Sequence, residues 1–456
     1  MSSVTDGLDP RRRPAQASWW RRAIARTRAA LDPRSAERLA LNRAKWETLP
    51  AVTKTPQQAA GRANVACGAT HGVVERCNYA CTACYLTDEA NKTPDLPFEE
   101  VAAQLDELRK HLGPMAKVQL TAGEVTLLEP EELGRIVRYA RSIGLDPMVM
   151  SNGQRFVDRP GYLETLVGEY GLRKLSIHID LTQRGRRGIP KPTSEAELRP
   201  VRNDFADRIR RVRRETGRRL HAAHTVTVTR ENIDEVADVA RWSLDHHDAF
   251  RMLSFQPVAE VGRTTDATDP DALSLDAVWA NIREGVGLPL NRDALHFGHR
   301  ACNIVCPLFV VSVGDRREVL ECVPEGDERG LEIMSRLLGI FGGLGPILTS
   351  PIRGILRRAA VALGNPGTAA RAIGYGLGRA WRKRLRLASI ARAAERERSL
   401  RIRPWILVVH RFMSPDELAT PLGRERLEAC VFRLPVEGRM VSMCELNATD
   451  LRLRLN

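Results

Sequence analysis

Short apolar runs alternate with longer amphipathic stretches between about residues 68 and 258. The stretches place apolar residues three and four positions apart, as on one face of a helix, whereas the runs are rich in aliphatic and β-branched residues. This alternation is typical of βα units around a parallel sheet. The predicted strands are GVVER (72–76), AKVQLTA (116–122), DPMVMSN (146–152), RKLSIHID (173–180), LHAAHTVTVT (220–229) and FRMLSFQPV (250–258).

Four helices are predicted between these strands. They are FEEVAAQLDELRKHL (98–112), EPEELGRIVRYARSIG (129–144), an arginine-rich helix near 196–216, and NIDEVADVARWSLDHH (232–247). About six βα units predict an α/β fold, a partial (β/α)6 barrel of the TIM type. In such a barrel, the loops at the carboxyl ends of the strands carry the chemistry.

The flanking segments suggest the domain organisation. Residues 1–66 form a basic segment in which SWWRRAIARTRAALD, opened by Trp19 and Trp20, is a helix at a lipid interface or one that is solvated or docked on the core. The barrel core is assigned to 67–258. A loop region with cysteines follows at 259–329.

Residues 330–403 change character, because the chain is uncharged from Leu337 to Ile352 and then strongly basic. Glycine and proline interrupt the apolar part, so we expect an interfacial helical insertion with arginines toward lipid phosphates, or else a buried helical pair with a solvated basic face. Residues 404–456 begin with the strand-like run WILVVHRFM and are predicted to form a closing C-terminal subdomain that contains cysteines.

Composition narrows the class of protein. A chain of 456 residues, 43% hydrophobic, fits one enzyme-sized domain with appendages and excludes a disordered chain or a disulfide-held miniprotein. The net charge of +14 suggests attraction to nucleic acid, anionic lipid or an acidic substrate. Nine cysteines are an odd number, three of them lie within eight residues, and no secretory signal is evident. We therefore expect reduced cysteines and a cytoplasmic location, with membrane association as an added possibility.

The three clustered cysteines are the strongest chemical signal. In ERCNYACTACYL, Cys77, Cys81 and Cys84 have the spacing C-x3-C-x2-C and lack a fourth cysteine nearby. Thiolates suit iron–sulfur clusters and zinc alike, but a structural zinc site is normally closed by four ligands. Three ligands leave one metal position open to a small molecule.

This spacing after the first strand of a βα barrel resembles the radical SAM superfamily. The resemblance implies that Cys77, Cys81 and Cys84 hold a [4Fe–4S] cluster whose open iron binds S-adenosylmethionine (SAM). It also implies that one electron, from a reductant such as a ferredoxin or flavodoxin, cleaves SAM to a 5′-deoxyadenosyl radical that abstracts hydrogen. The protein would position and shield this chemistry.

Further residues match positions at which the family contacts the cofactor. Leu120-Thr121-Ala122-Gly123-Glu124 looks like the family's Gly-Gly-Glu loop, with Ala122 in place of the first glycine, and Glu124 is the candidate for the methionine amino group. The third and fourth predicted strands end in polar residues, and the resemblance implies SAM or substrate contacts there. These candidates are Ser151, Asn152, His178 and Asp180.

The other cysteines outside the triplet lie mostly in the second half of the chain. Each alone is most often a small buried apolar residue. As a set, five of them are candidates for auxiliary iron sites, with Cys302, Cys306 and Cys322 joined by a distant cysteine around one possible auxiliary cluster. The five are Cys302, Cys306, Cys322, Cys430 and Cys444.

The tail containing Cys430 and Met443-Cys444-Glu445 is similar to the radical SAM branch of tetraether lipid synthases and methyltransferase-like proteins. This chain is shorter and lacks several cysteines expected there. The leading hypothesis is a radical SAM enzyme acting on a hydrophobic, lipid substrate. The alternatives are radical methylation, peptide modification, and an iron–sulfur or zinc protein that binds nucleic acid. The last is disfavoured, because aromatic residues make up only 5% of the chain and no recognition module is evident.

Overall fold

The structure is a computed structural model that describes residues 35–264, 272–314, 316–341, 351–384 and 399–455, with single positions 23, 26, 27, 388, 390 and 392. The predicted N-terminal helix around Trp19 and Trp20 lies almost wholly outside the described residues. So does the middle of the apolar run that begins at Leu337. No helix of the described part has the length and apolarity needed to cross a bilayer.

A single curled sheet of eleven strands runs through the described residues, in the order β11-β10-β1-β2-β3-β4-β5-β6-β9-β7-β8. Strands β1 to β6 pair in parallel with their neighbours, as expected of the predicted half-barrel. The strands are β1 (Cys67–Ala69), β2 (Lys117–Leu120), β3 (Asp146–Ser151), β4 (Lys174–His178), β5 (His221–Val228), β6 (Phe250–Pro257), β7 (Asn303–Val313), β8 (Arg316–Glu321), β9 (Arg401–His410), β10 (Phe432–Val436) and β11 (Arg439–Ser442).

Helices cover the outside of the sheet. The four predicted between the barrel strands are present as α2, α3, α6 and α7, so the alternation of β and α is confirmed. The described α-helices longer than one turn are α1 (Ser35–Thr48), α2 (Phe98–Leu112), α3 (Pro130–Ser142), α4 (Gln154–Asp158), α5 (Tyr162–Gly168), α6 (Arg199–Thr216), α7 (Val236–Asp245), α8 (Leu275–Val286), α9 (Glu328–Phe341), α10 (Pro351–Gly364), α11 (Pro366–Arg382), α12 (Pro415–Leu418), α13 (Pro421–Glu428), α14 (Met443–Ala448) and α15 (Leu451–Leu455).

Local sequence explains where these helices begin, end and pack. In α2, Val101, Leu105, Leu108 and Leu112 recur at helical spacing and are buried against the sheet. Gly113 then takes a left-handed φ of 80° and ends the helix. The major hydrophobic core therefore lies between the parallel strands and the helices that the pattern predicted.

The first strand lies earlier than predicted. The ladder forms at β1, whereas the predicted strand 72–76 is outside it, although Val73 and Val74 are fully buried. The backbone there is satisfied by loop contacts instead: the Glu124 amide donates to the Arg76 carbonyl at 3.0 Å. A run of apolar residues indicates that the segment is buried, but burial alone does not distinguish a strand from an extended loop packed in the core.

The region after β6 also differs from the prediction. Residues 259–329 were expected to be mainly loops, but they contain α8, β7 and β8. Strand β9 confirms the predicted WILVVHRFM run and pairs in parallel with β6, while β10 pairs in parallel with β1. The residues predicted as a separate closing subdomain therefore extend both sides of the barrel sheet.

Candidate functional site

Three cysteines lie on one loop after β1, at the carboxyl edge of the parallel strands. Cys77, Cys81 and Cys84 are each half-buried. Burial raises the pKa of the Cys77 thiol to about 11 and raises that of Cys81 well above its ordinary value, and the nearby thiolate charge of Cys84 adds to both shifts. The three sulfur atoms thus share one partly desolvated environment, in which iron binding would displace their protons.

The cysteine loop is held by the loop that follows β4. The Ala80 amide donates to the Arg184 carbonyl at 3.0 Å, and the Thr82 amide donates to the Thr182 carbonyl at 2.9 Å. These bonds pin the backbone between successive cysteines. A cleft of about 600 Å³ opens beside Cys77 between residues 77–80 and 184–191.

Gly123 allows the β2 loop to lie directly on the chain that leads into the cysteines. A Cβ atom at this position would lie 2.4 Å from the carbonyl oxygens of residues 74, 75 and 76. Only glycine permits that approach without backbone movement. Close packing alone therefore explains why glycine stands at the second position of the predicted Gly-Gly-Glu-like motif, without reference to a cofactor.

Glu124 is almost fully buried and already accepts several hydrogen bonds. Its Oε1 accepts from the Ser151 hydroxyl at 2.8 Å and from the Thr126 amide at 3.1 Å. Its Oε2 accepts from the Asn152 amide at 2.7 Å. Burial raises the pKa of this carboxyl, and these hydrogen bonds oppose the rise. The structure therefore joins three predicted contact residues, Glu124, Ser151 and Asn152, into one hydrogen-bonded unit.

Asn152 extends this unit to the cysteine loop. Its side-chain amide donates to Asn78 Oδ1 at 2.8 Å, and its Oδ1 accepts from the Gln154 amide at 2.9 Å. The Tyr79 hydroxyl donates to Gln154 Oε1 at 2.9 Å. Sequence reasoning did not identify Asn78, Tyr79 or Gln154. The only sequence feature that could have identified them is that they follow Cys77 or Asn152 by one or two residues.

His178 and Asp180 are in contact at the end of β4. His178 Nε2 lies 2.8 Å from Asp180 Oδ2, which also accepts from the Thr227 amide at 2.9 Å. Burial opposes ionisation of Asp180, but the contact with His178 and the hydrogen bonds of Asp180 outweigh burial and hold its pKa below the usual range. Asp180 is fully buried, whereas 36% of the His178 side chain is exposed. Of these two predicted residues, His178 is the one that can meet a ligand.

Arg263 is a site residue that sequence reasoning missed. Its backbone amide donates to the Cys84 carbonyl at 2.9 Å, and its guanidinium lies close enough to the Cys84 thiol for that group to raise the pKa of Arg263 against the effect of burial. Gly262 lets this loop approach, because a Cβ atom there would lie 2.3 Å from the backbone of Tyr85. The only sequence signal was a Gly-Arg pair shortly after a barrel strand. A fixed positive charge beside one cysteine influences any group that the thiolates hold.

Tyr85, next to the last cysteine of the triplet, is a packed side chain. Its hydroxyl lies 3.2 Å from Thr121 Oγ1, and the Arg452 guanidinium lies 5.4 Å from its ring centre. Burial raises the pKa of this phenol to about 12. Tyr85 therefore connects the cysteine loop to the C-terminal helix α15.

The five remaining candidate cysteines do not gather at one place. Cys302, at the start of β7, lies near Cys430 and Cys444. Burial raises the pKa of Cys444 to about 12, and the thiolate charges of Cys430 and Cys302 add to that rise. Arg426 Nε donates to Cys302 Sγ at 3.3 Å. We call these three the C-terminal cysteine trio.

Cys306 and Cys322 lie elsewhere, in the core of the β7–β8 hairpin. Cys306 is four residues beyond Cys302 along an extended chain, roughly 13 Å away. It is 1% exposed, and the Cys322 amide donates to the neighbouring Pro307 carbonyl at 3.2 Å. Thus the predicted grouping of Cys302 with Cys306 and Cys322 is not the grouping found, because strand geometry separates residues that are close in sequence.

The triplet loop has the donor set for an iron–sulfur cluster. Such a cluster takes each thiolate on a different iron, so its ligands surround it instead of converging on one ion. No three His, Cys, Asp or Glu side chains of the described ranges converge as around a single metal ion. Three half-buried thiols, a neighbouring cleft and a guanidinium beside Cys84 fit a cluster with one open position.

Residues 73–243 match the sequence profile of the Radical SAM superfamily. These residues are therefore similar to radical SAM domains, which use a [4Fe–4S] cluster and SAM. The cysteine triplet, the Gly123-Glu124 loop and β2 to β5 all lie within the matched residues.

Individual relatives match more narrowly. The chain is 25% identical over 205 residues to 7,8-dihydro-6-hydroxymethylpterin dimethyltransferase of Methanocaldococcus jannaschii, over 43% of this chain and 37% of that protein. The Streptococcus suis SuiB structure bound to precursor peptide SuiA is 11% identical, with a TM-score of 0.35 over 50% of this chain and 47% of that one. The structure of anSMEcpe with bound AdoMet is 12% identical, with a TM-score of 0.34 over 48% of this chain and 58% of that one. This chain thus covers well under two thirds of each.

Proposed function

We propose that this protein reductively cleaves SAM and uses the resulting radical to modify an organic substrate. The observation that carries the proposal is the cysteine triplet, held at the carboxyl edge of a half-barrel within the residues that match the Radical SAM superfamily. Cys77, Cys81 and Cys84 would hold the cluster. When bound and reduced, a [4Fe–4S] cluster supplies the electron that breaks a carbon–sulfur bond of SAM.

The surrounding residues orient and shield this chemistry. Glu124 is held ready by Ser151 and Asn152, with room on Oε2 for one further donor such as an amino group. Asp180 fixes the His178 ring, which presents its exposed edge to the ligand. Asn152, at the end of the third strand, hydrogen-bonds Asn78 of the cysteine loop. A shift of the strand end on SAM binding would therefore also shift the loop that holds the cluster. Each of these roles is a proposal about this chain's own residues.

For the substrate, we favour a hydrophobic, lipid-like molecule. The support is the combination of an apolar stretch with strongly basic flanks in residues 330–403. Lipid extracted from the purified protein and identified by mass spectrometry, then consumed in a turnover assay, tests this directly. Turnover of a short peptide encoded beside the gene, with no lipid consumed, would instead support peptide modification.

Methyl transfer is the second candidate, because the matching Methanocaldococcus protein is named as a dimethyltransferase. The reaction products distinguish methyl transfer from radical modification without methylation. Radical modification without methylation gives 5′-deoxyadenosine and methionine, whereas transfer of the SAM methyl group also yields S-adenosylhomocysteine. Feeding SAM labelled in the methyl group and following the label into substrate decides between them.

We also propose that the C-terminal cysteine trio holds a second iron–sulfur group. Its support is that three buried or half-buried thiols from distant segments lie close enough for their charges to influence one another, with Arg426 donating to one of them. Wild-type protein reconstituted without oxygen should then carry about eight irons, and the variant with Cys302, Cys430 and Cys444 all changed to Ala about four. About four irons in both proteins would contradict this assignment.

The central experiment compares two variants with wild-type protein. Changing Cys77, Cys81 and Cys84 to Ala should abolish dithionite-driven 5′-deoxyadenosine formation and the paramagnetic signal of the reduced cluster. Cys67→Ala, on β1 and outside both cysteine groups, is the matched control and should retain both. Cleavage of SAM by the triple variant would refute the proposed function.

A further inference from the structure

Helix α11 exposes a row of large apolar side chains. Ile373, Leu377 and Trp381 are 63%, 67% and 68% exposed. They are four residues apart, so they lie along one face of the helix. We call these three residues the apolar stripe.

The opposite face of α11 is fixed to the body of the protein. Tyr375, Arg379 and Lys383 follow the stripe at an offset of two residues, which places them on the other side of the helix. Each of the three contacts the body of the protein: Tyr375 Oη with Asp327 Oδ2 (2.5 Å), Arg379 Nη1 with the carbonyl oxygen of Glu321, and Lys383 Nζ with Glu318 Oε1 (2.8 Å). Rotation of the helix to bury the stripe would break these contacts.

Helix α10 repeats this arrangement. Leu356 and Leu363 are 52% and 69% exposed and lie opposite Val361, which is 3% exposed. Five of the twelve exposed large apolar side chains of the described residues therefore belong to these two consecutive helices. Scattered exposed leucines are ordinary, but a concentration of this kind marks an interaction surface.

The segment that contains α10 and α11 carries charge of one sign only. Residues 351–394 contain ten Lys and Arg and no Asp or Glu. The exposed residue Arg382 borders the stripe, and the Arg384 guanidinium lies 4.8 Å from the Trp381 ring centre. Arg371, by contrast, lies on the anchored face and is 3.9 Å from Glu332. A helix face with Trp and aliphatic residues bordered by arginine has the composition of an interfacial membrane helix.

We propose that α10 and α11 dock this protein on an anionic lipid surface, with the apolar stripe in the acyl boundary and the arginines at the phosphates. A second copy packed face to face would bring the exposed Arg382 and Arg384 beside one stripe against the same residues of the other. Nucleic acid would satisfy the arginines but leave Ile373 and Leu377 in water. Of these three occupants, an anionic lipid surface is the one that satisfies both the charge and the apolar area. This surface shares no residue with the cysteine triplet, so docking stands independently of the proposed reaction.

Vesicle cosedimentation of the full-length protein tests the proposal. Wild-type protein should pellet with vesicles that contain phosphatidylglycerol and should be released by salt. Leu377→Ser with Trp381→Ser should weaken the partition at least about tenfold, because two apolar side chains no longer enter the bilayer. Val52→Ser with Leu422→Ser, at side chains 58% and 51% exposed elsewhere, is the matched control and should bind as wild type does.

Three results would overturn the proposal. They are equal binding of the stripe and control variants, equal binding to vesicles of phosphatidylcholine alone, and a dimer in light scattering that the stripe variant loses. The cysteine triplet variant should still bind vesicles, which separates failure of docking from failure of SAM cleavage. Normal circular dichroism of the stripe variant excludes misfolding as the cause of lost binding.

Discussion

Cys77, Cys81 and Cys84 reach their site from eight consecutive residues of one loop, whereas Cys302, Cys430 and Cys444 come from three separate segments. Both groups nevertheless place an arginine against one thiol: Arg263 at Cys84 and Arg426 at Cys302. A local motif can be read from spacing alone. The trio exists only because the sheet brings the start of β7 near the segment that leads into β10 and α14.

The two arginines also differ. Arg426 is 1% exposed in its side chain and pairs with Glu417 at 3.3 Å, while its Nη2 donates to the Arg411 carbonyl at 3.1 Å. Arg263 is 15% exposed, and its acidic neighbour Asp88, at 3.8 Å, is 86% exposed. Arg426 is therefore part of the framework of the C-terminal region, whereas Arg263 lies on a loop above the cluster position. This difference predicts different consequences for their replacement.

The largest effect is expected from Arg426→Met. A methionine of similar length would remove the donors to Cys302 and to the Arg411 carbonyl, at a cost of about 3 kcal/mol in unfolding free energy. Glu417 would keep its ion pair with Arg411 at 2.7 Å. Urea denaturation at pH 7 measures this. If the C-terminal cysteine trio holds the proposed second iron–sulfur group, that group should also be lost, and iron should fall by about half. Arg424→Met, at an exposed position on the same helix, is the control. Equal stability of the two variants would show that Arg426 is not part of the framework.

The contrast explains how far sequence could predict this molecule. The βα alternation, the four core helices and the cysteine triplet followed from patterns within a few residues. The pairing of β9 with β6 and of β10 with β1 did not, because strand partners distant in the chain leave no local pattern. Arg263 was missed for the same reason: its relation to Cys84 depends on how the loop after β6 folds back.

A second prediction tests the close packing beneath the triplet loop. Gly123→Ala places a methyl group 2.4 Å from three carbonyl oxygens of residues 74–76. We expect a loss of about 2 kcal/mol in stability, together with a sharp fall in 5′-deoxyadenosine formation, because the cysteine loop must shift. Gly367→Ala, where a Cβ atom meets nothing within 4 Å, is the control. Unchanged cleavage in Gly123→Ala would mean that the loop position is not critical.

The third prediction concerns pH at the C-terminal side. Burial, and then the Arg426 charge, lower the pKa of His410 to about 4. The folded state thus favours the neutral ring, and this stability is fully present above about pH 6.5 and is lost as pH falls toward 4. His410→Phe keeps an aromatic ring beside Phe412, whose ring centre is 4.6 Å from that of His410, and removes the titration. Between pH 7 and 5, wild-type protein should lose about 1–2 kcal/mol more than the variant. Parallel pH profiles would contradict this.

The smallest effect is expected from replacing Arg263, whose charge should influence the reduction potential of a cluster held by the cysteine triplet. Reduction adds negative charge to a cluster, and a nearby guanidinium stabilises that charge. Arg263→Gln should therefore lower the reduction potential of the triplet cluster, by an amount on the order of 60 mV or less, which is at most a tenfold change in equilibrium. Redox titration followed by paramagnetic resonance measures the shift without relying on turnover.

Matched variants decide whether charge or packing causes such a shift. Arg263→Lys keeps the positive charge and should keep most of the potential, while Arg187→Gln, at a side chain 73% exposed, removes a charge from solvent and should leave the potential unchanged. If Lys and Gln at position 263 lower the potential equally, then the shape and packing of the arginine side chain, and not its charge, control the potential. If neither moves it, Arg263 only anchors the loop, and the likeness between the two arginine–cysteine pairs has no functional meaning.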